Sequence, residues 1–386
     1  MKERYIVILL LFFLVVYNAQ GVLYAKGSSI SQMVLISIHG IGSLYFIKTL
    51  LLKTKKNLFY KAWTALLLLN IFGLIFTGSL TNSIHFSMFK GVLMSLLVFY
   101  PFYYFSYKGL LSYKDLIILV IVLIPIYIGQ FYLAQEQILS ARVSVNTNVV
   151  NNTAYDILWL LPFVFFIKKN KVVSASLFLI SVFFIIQSAK RGAMLIAGVT
   201  LLFYAYYQLK TVSKKNRIRG YFITFLGIVA VGYYAINFFI QNEYLIERLQ
   251  QLEEGSYSGR DVIYANLFNA WYSSDNFFNL LFGYGFASSV NLSGTGNLAH
   301  NDWLELLTNF GLLGVIIYMM LFFSGFKNVF STKWGKDKRI IMGVIMTMWL
   351  LSTIFSMGYT VDGGYLKAIL LAYLIGDSSN LIKHNK

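Results

Sequence analysis

Three cations and one histidine are the side chains of this sequence most suited to chemistry. Lys190 and Arg191 stand together between two apolar runs, Arg260 precedes a helical pattern in a polar stretch, and His300 precedes another apolar run. Lysine and arginine bind phosphate oxygens, arginine through two parallel N–H donors. A neutral imidazole accepts a proton near neutral pH and suits a general base or a group that orients a hydroxyl. These residues therefore predict an anion site and a proton acceptor.

Lys190 and Arg191 are predicted to lie at the outer membrane surface, because the apolar runs beside them are barely long enough to span a bilayer. Gly192 follows them, and we expect it to let the backbone turn. At that level the cations would meet the phosphates of a lipid-linked substrate. The alternative is an interfacial anchor that reaches the lipid headgroups. Arg142, which precedes an asparagine-rich stretch, is a weaker candidate for substrate binding, and its alternative is an ordinary surface-loop residue.

Arg260 precedes a predicted helix over Val262–Tyr272. A helix N-terminus offers free N–H donors and the positive end of the helix dipole, so an added arginine there makes a good anion site. The alternative is a solvated arginine that pairs with Asp261 or Glu254. Tyr264 in the same helix is predicted to stack on a sugar ring of a substrate or to pack within the protein.

His300 is predicted at the N-terminus of the next apolar helix, where the dipole favours the neutral imidazole. Asn301 and Glu305 are four residues apart and share one helix face, so both are predicted to contact substrate. Asp302 is expected to stabilise the helix by its position in the first turn. One alternative is that His300 is only an interfacial polar residue. Another is that Glu305 or Asp302 acts as the base in its place.

The elements that must position these residues are membrane helices. The 386 residues are 58% hydrophobic and only 12% charged, whereas about a quarter of a soluble domain is charged. The net charge of +17 is attributed to the positive-inside bias of membrane proteins and not to nucleic-acid binding. The absence of cysteine excludes disulfides and thiolate metal ligands, and the histidines do not cluster as metal ligands would.

Hydropathy predicts an all-α polytopic membrane protein of about twelve transmembrane helices. They are placed near 5–20, 30–52, 58–78, 84–106, 115–134, 154–167, 172–189, 192–209, 221–240, 303–326, 339–357 and 362–377. Residues 1–240 thus hold nine helices, 241–302 one long loop, and 303–386 three helices with a short tail.

Most of the 32 lysine and arginine residues fall in alternate loops, which places both termini in the cytoplasm. The long loop is then extracytoplasmic. It is expected to carry an amphipathic helix over 242–254, then the helix of Arg260 with Ser258 as its cap, and finally an irregular glycine-rich stretch.

The segment from His300 to Gly314 resembles the one that closes the large periplasmic loop of the O-antigen polymerase and O-antigen ligase superfamily. Ser258-Gly-Arg, Phe282-Gly-Tyr-Gly and Ser188-Ala-Lys-Arg are also similar to that family's pattern, in the same order. The resemblance covers roughly residues 140–325 in detail.

This resemblance implies a bacterial cytoplasmic-membrane enzyme with a GT-C-like helical fold that transfers glycans without a metal or other cofactor. The donor would be a glycan on undecaprenyl diphosphate, and the acceptor a glycan or a lipid-linked unit. Arg191 and Arg260 would hold the diphosphate, and His300 would contact the acceptor hydroxyl. Flippase and chain-length regulator proteins would be further partners.

Polymerase and ligase share these motifs, and polymerase is the preferred prediction because such enzymes are more numerous. A glycolipid flippase or transporter is the alternative from another class. Transporters usually have pseudo-symmetric halves and polar mid-membrane helices. Here the charges are concentrated at the membrane surfaces and in one asymmetric loop, which favours an enzyme.

Overall fold

The computed structural model describes residues 2–53, 56–76, 83–142, 151–211, 217–242, 245–246, 250, 260–358 and 364–384. These residues are mainly helical and contain no β-strand, apart from one isolated bridge between Gln20 and Tyr24. The predicted all-α fold is therefore confirmed for the described part of the chain.

The described residues form seventeen helices. In order, they are α1 (Lys2–Asn18), α2 (Ser29–Leu51), α3 (Leu58–Phe76), α4 (Ser83–Leu97), α5 (Phe99–Tyr107), α6 (Tyr113–Arg142), α7 (Thr153–Leu158), α8 (Leu161–Val164), α9 (Lys171–Gln187), α10 (Arg191–Thr211), α11 (Arg217–Gln241), α12 (Arg260–Tyr272), α13 (Phe277–Phe282), α14 (Ser288–Leu292), α15 (Asp302–Val329), α16 (Lys336–Phe355) and α17 (Gly364–His384).

In their described residues, all twelve segments predicted from hydropathy coincide with helical structure, although the fourth is broken into α4 and α5 and the sixth into α7 and α8. Within the described ranges, seven helical stretches have the length and hydropathy to cross a bilayer, and three further apolar helices have 10–17 residues. These lengths and compositions indicate a polytopic membrane protein, while the count of twelve spans stays a prediction.

The predicted extracytoplasmic loop contains α12, which confirms the helix expected after Ser258. Most of the amphipathic segment over 242–254 lies outside the described residues, as does Ser258 itself. The glycine-rich stretch is irregular, as predicted, except for the five residues of α14.

The chain forms two compact units. The first consists of Met1–Val34 and Ser112–Ser256, and the second of Leu35–Leu111 and Tyr257–Lys386. The division into residues 1–240, 241–302 and 303–386 describes membrane topology, and it stays a prediction.

In the first unit, α1 is attached to α6 by polar contacts near both of its ends. The Arg4 guanidinium donates to both carboxylate oxygens of Asp115, at 2.9 and 2.6 Å. Near the other end of α1, the side-chain oxygen of Asn18 accepts from the Tyr127 hydroxyl at 2.8 Å.

In the second unit, α17 packs along α5, and α15 packs against α3 and α16. The crossing of α5 and α17 is close at Gly376, where a Cβ atom would lie 2.5 Å from the Tyr103 carbonyl oxygen. The Ser106 hydroxyl donates to the Tyr373 carbonyl at 2.7 Å beside this crossing.

Two glycines bring the predicted extracytoplasmic loop into backbone contact with α15. Gly311 interrupts α15 with a φ of 61°, and a Cβ atom there would lie 2.4 Å from the Leu281 carbonyl carbon. Gly283 has a φ of 72°, and its Cβ would lie 2.4 Å from the carbonyl carbon of Asn309. Because both positions need a left-handed backbone and no side chain, only glycine fits.

The kink at Gly311 also makes backbone carbonyls of α15 available to the loop. In a straight helix each carbonyl accepts from the residue four positions later. Here the Thr308 carbonyl accepts from the Tyr284 N–H at 2.9 Å, and the Asn309 carbonyl accepts from the Gly285 N–H at 2.8 Å. The glycine-rich loop is thereby bonded to the first half of α15.

We expect Gly311→Ala and Gly283→Ala to lower the free energy of unfolding by on the order of 3 kcal/mol, because each adds strain and a backbone clash. Gly198→Ala in α10 is the matched control, since nothing lies within 4 Å of its added Cβ. Thermal unfolding midpoints in detergent measure the difference. Equal midpoints for Gly311→Ala and Gly198→Ala would contradict the close contact.

The predicted topology can be tested with single cysteines because the natural chain has none. Ser273 and Thr332 both have exposed side chains. We expect a membrane-impermeant maleimide to label Ser273→Cys in intact cells and Thr332→Cys only after permeabilisation. The reverse pattern would invert the topology.

Candidate active site

Three helices begin at or just after the residues predicted to act on a substrate. Arg191 is the first residue of α10, Arg260 is the first residue of α12, and His300 lies two residues before α15. The first N–H groups of a helix have no acceptor within the helix and form its positive end. All three side chains therefore stand beside groups that favour negative charge. Arg191 belongs to the first unit, whereas Arg260 and His300 belong to the second.

The turn before Arg191 is formed by Ser188, Ala189 and Lys190, and not by Gly192. Ala189 has a φ of 54°, and the Ser188 hydroxyl oxygen accepts from the Lys190 N–H at 3.1 Å. Gly192 lies within the first turn of α10. The expectation that Gly192 supplies the turn is wrong, because the serine side chain stabilises a tight turn that passes through alanine.

Lys190 connects this turn to the segment that opens α7. Its ammonium donates to the Asn152 side-chain oxygen at 2.9 Å and lies 5.8 Å from the ring centroid of Tyr155. The Asn151 N–H donates to the Ser188 carbonyl at 3.1 Å in the same place. Lys190 therefore positions the chain around Arg191, and its contact with a substrate stays a prediction.

Arg142 is the last residue of α6. Its side chain lies outside the described part of the structure, so its predicted substrate contact stays a prediction.

In the second unit, α12 lies against the segment that carries His300. Ile263 is buried in a cluster with Ala299, and Tyr264 packs against the same cluster. Arg260 precedes Ile263 by three residues and Tyr264 by four, so it lies one turn away on the same helix face. Because Ala299 immediately precedes His300, this packing fixes the helix of Arg260 beside the predicted base. Tyr264 contributes to that packing, and its stacking on a sugar stays a prediction.

His300 itself has a left-handed backbone, with a φ of 53°. For a residue other than glycine this costs about 1–2 kcal/mol. The residues on both sides are fixed by hydrogen bonds: the Ala299 N–H donates to Glu305 at 2.5 Å, and the Asn301 side-chain oxygen accepts from the N–H groups two and three residues later, at 3.0 and 3.2 Å. These bonds offset the strain and set the direction in which the imidazole leaves the backbone.

Glu305 is fully buried and attaches the loop to α15. Besides the Ala299 N–H, its carboxylate accepts from the Ser289 hydroxyl. One turn later, the Asn309 side-chain oxygen accepts from the Ser288 hydroxyl and the Ser289 N–H, both at 3.0 Å. Glu305 and Asn301 thus share in holding the loop and the helix start, and their contact with a substrate stays a prediction.

Asp302 belongs to a closed ring of buried contacts. Its carboxylate accepts from the Tyr318 hydroxyl at 2.5 Å and from the Gly358 N–H at 2.8 Å. The Gly358 carbonyl accepts from the Lys367 ammonium at 2.6 Å, which lies 4.1 Å from the Trp349 ring centroid. The Trp349 indole N–H donates to Tyr318 at 2.8 Å and completes the ring. The ring joins the start of α15 to α16 and α17.

The interpretation of Asp302 as a first-turn acid that serves the helix dipole is incomplete. Asn301 is the residue that caps α15, and Asp302 is fully buried with specific donors. A carboxylate so placed needs these donors and a nearby cation, because burial of an isolated charge is costly.

Lys367 is the main residue that sequence reasoning left without a role. A single lysine within an apolar helix is itself a signal, because an ionisable residue inside a membrane segment is expensive and is expected to face a partner. Its partners Gly358 and Trp349 lie outside its own helix, and only the folded chain identifies them.

Among the described residues, no group of three or more histidine, aspartate and glutamate side chains is close enough together to hold a metal ion.

A family model described as O-antigen ligase matches residues 176–319. This stretch contains every predicted site residue except Arg142. The resemblance to the O-antigen polymerase and ligase superfamily is therefore confirmed over these residues. No curated protein matches the chain.

We expect Lys367→Met to lower the free energy of unfolding by about 3–5 kcal/mol, because it leaves Asp302 buried beside no cation. Lys169→Met, at an exposed position, is the control and should have little effect. The double variant Asp302→Asn/Lys367→Met should recover part of the loss, as measured by thermal unfolding in detergent. A double variant whose loss equals the sum of the two single losses would contradict the coupling between the two residues.

Proposed function

We propose that this chain, whose residues 176–319 match the O-antigen ligase family, is a membrane glycosyltransferase that polymerises lipid-linked oligosaccharide repeat units. Its donor is a glycan on undecaprenyl diphosphate, and the reaction takes place on the outer face of the bacterial cytoplasmic membrane. The observation that carries the proposal is the position of the family match, which includes Arg191, Arg260 and His300.

The reaction exchanges one bond at the anomeric carbon of the donor glycan. A hydroxyl of the acceptor sugar attacks this carbon, and the bond from the carbon to the diphosphate oxygen breaks. The hydroxyl proton passes to His300, and undecaprenyl diphosphate leaves with the bonding electron pair. Because diphosphate is already a good leaving group, catalysis requires positioning of the reactants and neutralisation of the developing charge.

Arg191 and Arg260 supply that neutralisation in this proposal. A guanidinium stays protonated and binds phosphate oxygens through two parallel donors. Each arginine also begins a helix, whose first N–H groups add to the positive potential. Two guanidiniums would make a divalent metal unnecessary, as expected for a GT-C-like enzyme of this superfamily.

His300 accepts the proton in this proposal, and its fixed backbone supports the assignment. A general base must stay within hydrogen-bond reach of the hydroxyl that it deprotonates. The hydrogen bonds of Ala299 and Asn301 restrict the backbone on either side of His300. The imidazole is therefore attached to a backbone that hydrogen bonds hold on both sides.

A ligase that moves the glycan onto a lipid A core or another acceptor would use the same three residues. A glycolipid flippase is the alternative from another class. Flippase and chain-length regulator proteins are the partners expected for a polymerase.

We expect Arg191→Gln, Arg260→Gln and His300→Gln each to reduce polymer formation by about 100-fold or more, as for the loss of other groups that stabilise developing charge. Arg191→Lys and Arg260→Lys should reduce polymer formation less, since they retain the positive charge without the paired donors. Cells that lack the native protein are complemented with each variant, and polymer length is read on gels. Lys169→Gln is the control, and membrane abundance is matched by immunoblot.

The lipid-linked intermediate distinguishes the three functions. Single repeat units that accumulate on the carrier at the outer face in cells with the arginine variants support polymerisation. Long chains that stay on the carrier indicate a ligase, and repeat units retained at the cytoplasmic face indicate a flippase. Full activity of His300→Gln would contradict the proposal that His300 accepts the proton.

A further inference from the structure

A second site lies in the second unit, where the ends of α2, α5, α15 and α17 meet the starts of α3 and α16. A cavity of about 1370 Å³ opens between these helix ends. Four lysines line it: Lys53, Lys108, Lys327 and Lys333. They come from three basic segments that are far apart in sequence and that the charge pattern predicts on the cytoplasmic side.

The charge of this cavity is unbalanced. Among the described residues that line it, there is no aspartate or glutamate. Elsewhere among the described residues, two cations near predicted cytoplasmic helix ends have carboxylate partners: Arg4 pairs with Asp115, and Lys338 pairs with Asp377. Four lysines around one cavity repel one another and concentrate negative counter-ions from the surroundings.

The rest of the lining is both aromatic and hydrogen-bonding. Phe59, Tyr103 and Trp334 contribute rings, and Asn57 and Thr332 contribute polar groups. Aromatic side chains of this kind concentrate where membrane helices meet the headgroups. The cavity is larger than the roughly 300–1,000 Å³ of a typical small-molecule pocket. Rings beside lysines suit a ligand with a phosphate and an attached apolar chain.

We propose that this cavity binds the phosphate-bearing headgroup of an anionic phospholipid from the cytoplasmic leaflet. Basic pockets between membrane helices on that side are suited to such headgroups. The lysines bind the phosphate oxygens, and the rings contact the glycerol and the upper acyl chains. The site is separate from Arg260 and His300 and takes no part in the proposed transfer reaction. It depends on the predicted orientation, which the cysteine labelling tests independently.

The test compares two variants with the same loss of charge. The cavity variant is Lys53→Gln/Lys108→Gln/Lys327→Gln/Lys333→Gln. The control variant is Lys114→Gln/Lys169→Gln/Lys171→Gln/Lys210→Gln, whose four lysines are exposed, lie in the first unit and do not line the cavity. Because the cavity lysines are also exposed, both variants should fold, and the thermal midpoint without added lipid verifies this.

The full-length protein in detergent is titrated with phosphatidylglycerol, phosphatidylcholine or inorganic phosphate. Thermal stabilisation and native mass spectrometry report binding. We expect phosphatidylglycerol, but not phosphatidylcholine, to bind and stabilise wild type and the control variant. In the cavity variant the apparent affinity for phosphatidylglycerol should fall about tenfold or more.

Equal binding of phosphatidylglycerol to wild type and the cavity variant would overturn the site. An equal loss of phosphatidylglycerol affinity in the cavity variant and the control variant would also overturn the site, because it would indicate a general effect of net charge. Stabilisation by inorganic phosphate alone, lost only in the cavity variant, would overturn the assignment to a lipid. None of these results depends on glycan transfer, so the failure of one proposal is distinguishable from the failure of the other.

Discussion

The hydrogen bonds of the buried Glu305 carboxylate hold the predicted extracytoplasmic loop, and the rest of that region depends on them. Glu305 lies on the first turns of α15 and accepts from the Ala299 N–H and the Ser289 hydroxyl, so one side chain attaches both ends of an irregular loop to a membrane helix. Burial of a carboxylate is unfavourable unless donors surround it, and here the loop supplies them. The strained backbone of His300 is tolerated because the bonds on either side are made.

The same helix joins the predicted extracytoplasmic loop to the rest of the second unit by two further contacts. Below Glu305, the kink at Gly311 places the backbone of α15 directly against the loop at Gly283. Beside it, Asp302 reaches α16 and α17 through the ring of contacts that includes Lys367. The first ten residues of α15 therefore include the kink and contact both the loop and the neighbouring helices. These contacts explain why the segment from His300 to Gly314 has so many polar residues and glycines for a membrane helix.

Local sequence patterns were sufficient to predict the long apolar helices and α12, and to place Arg191, Arg260 and His300 at helix starts. Hydropathy over about 20 residues and the step from polar to apolar sequence are local properties. The turn at Ala189 escaped prediction because alanine rarely adopts positive φ, and glycine three positions later was the expected choice. The roles of Lys367 and of the pair Gly283 and Gly311 depend on contacts between segments far apart in sequence, and no local pattern specifies such partners.

In the proposed reaction, Arg191 and Arg260 bind the diphosphate of a lipid-linked glycan while His300 accepts the proton of the acceptor hydroxyl. The most direct test is an experimental structure of the protein in a lipid nanodisc with a lipid-linked repeat unit bound. We expect diphosphate oxygens about 2.7–2.9 Å from guanidinium nitrogens of both Arg191 and Arg260, with the His300 imidazole on the acceptor side. A diphosphate bound away from these residues, or one that contacts neither arginine, would contradict the proposal.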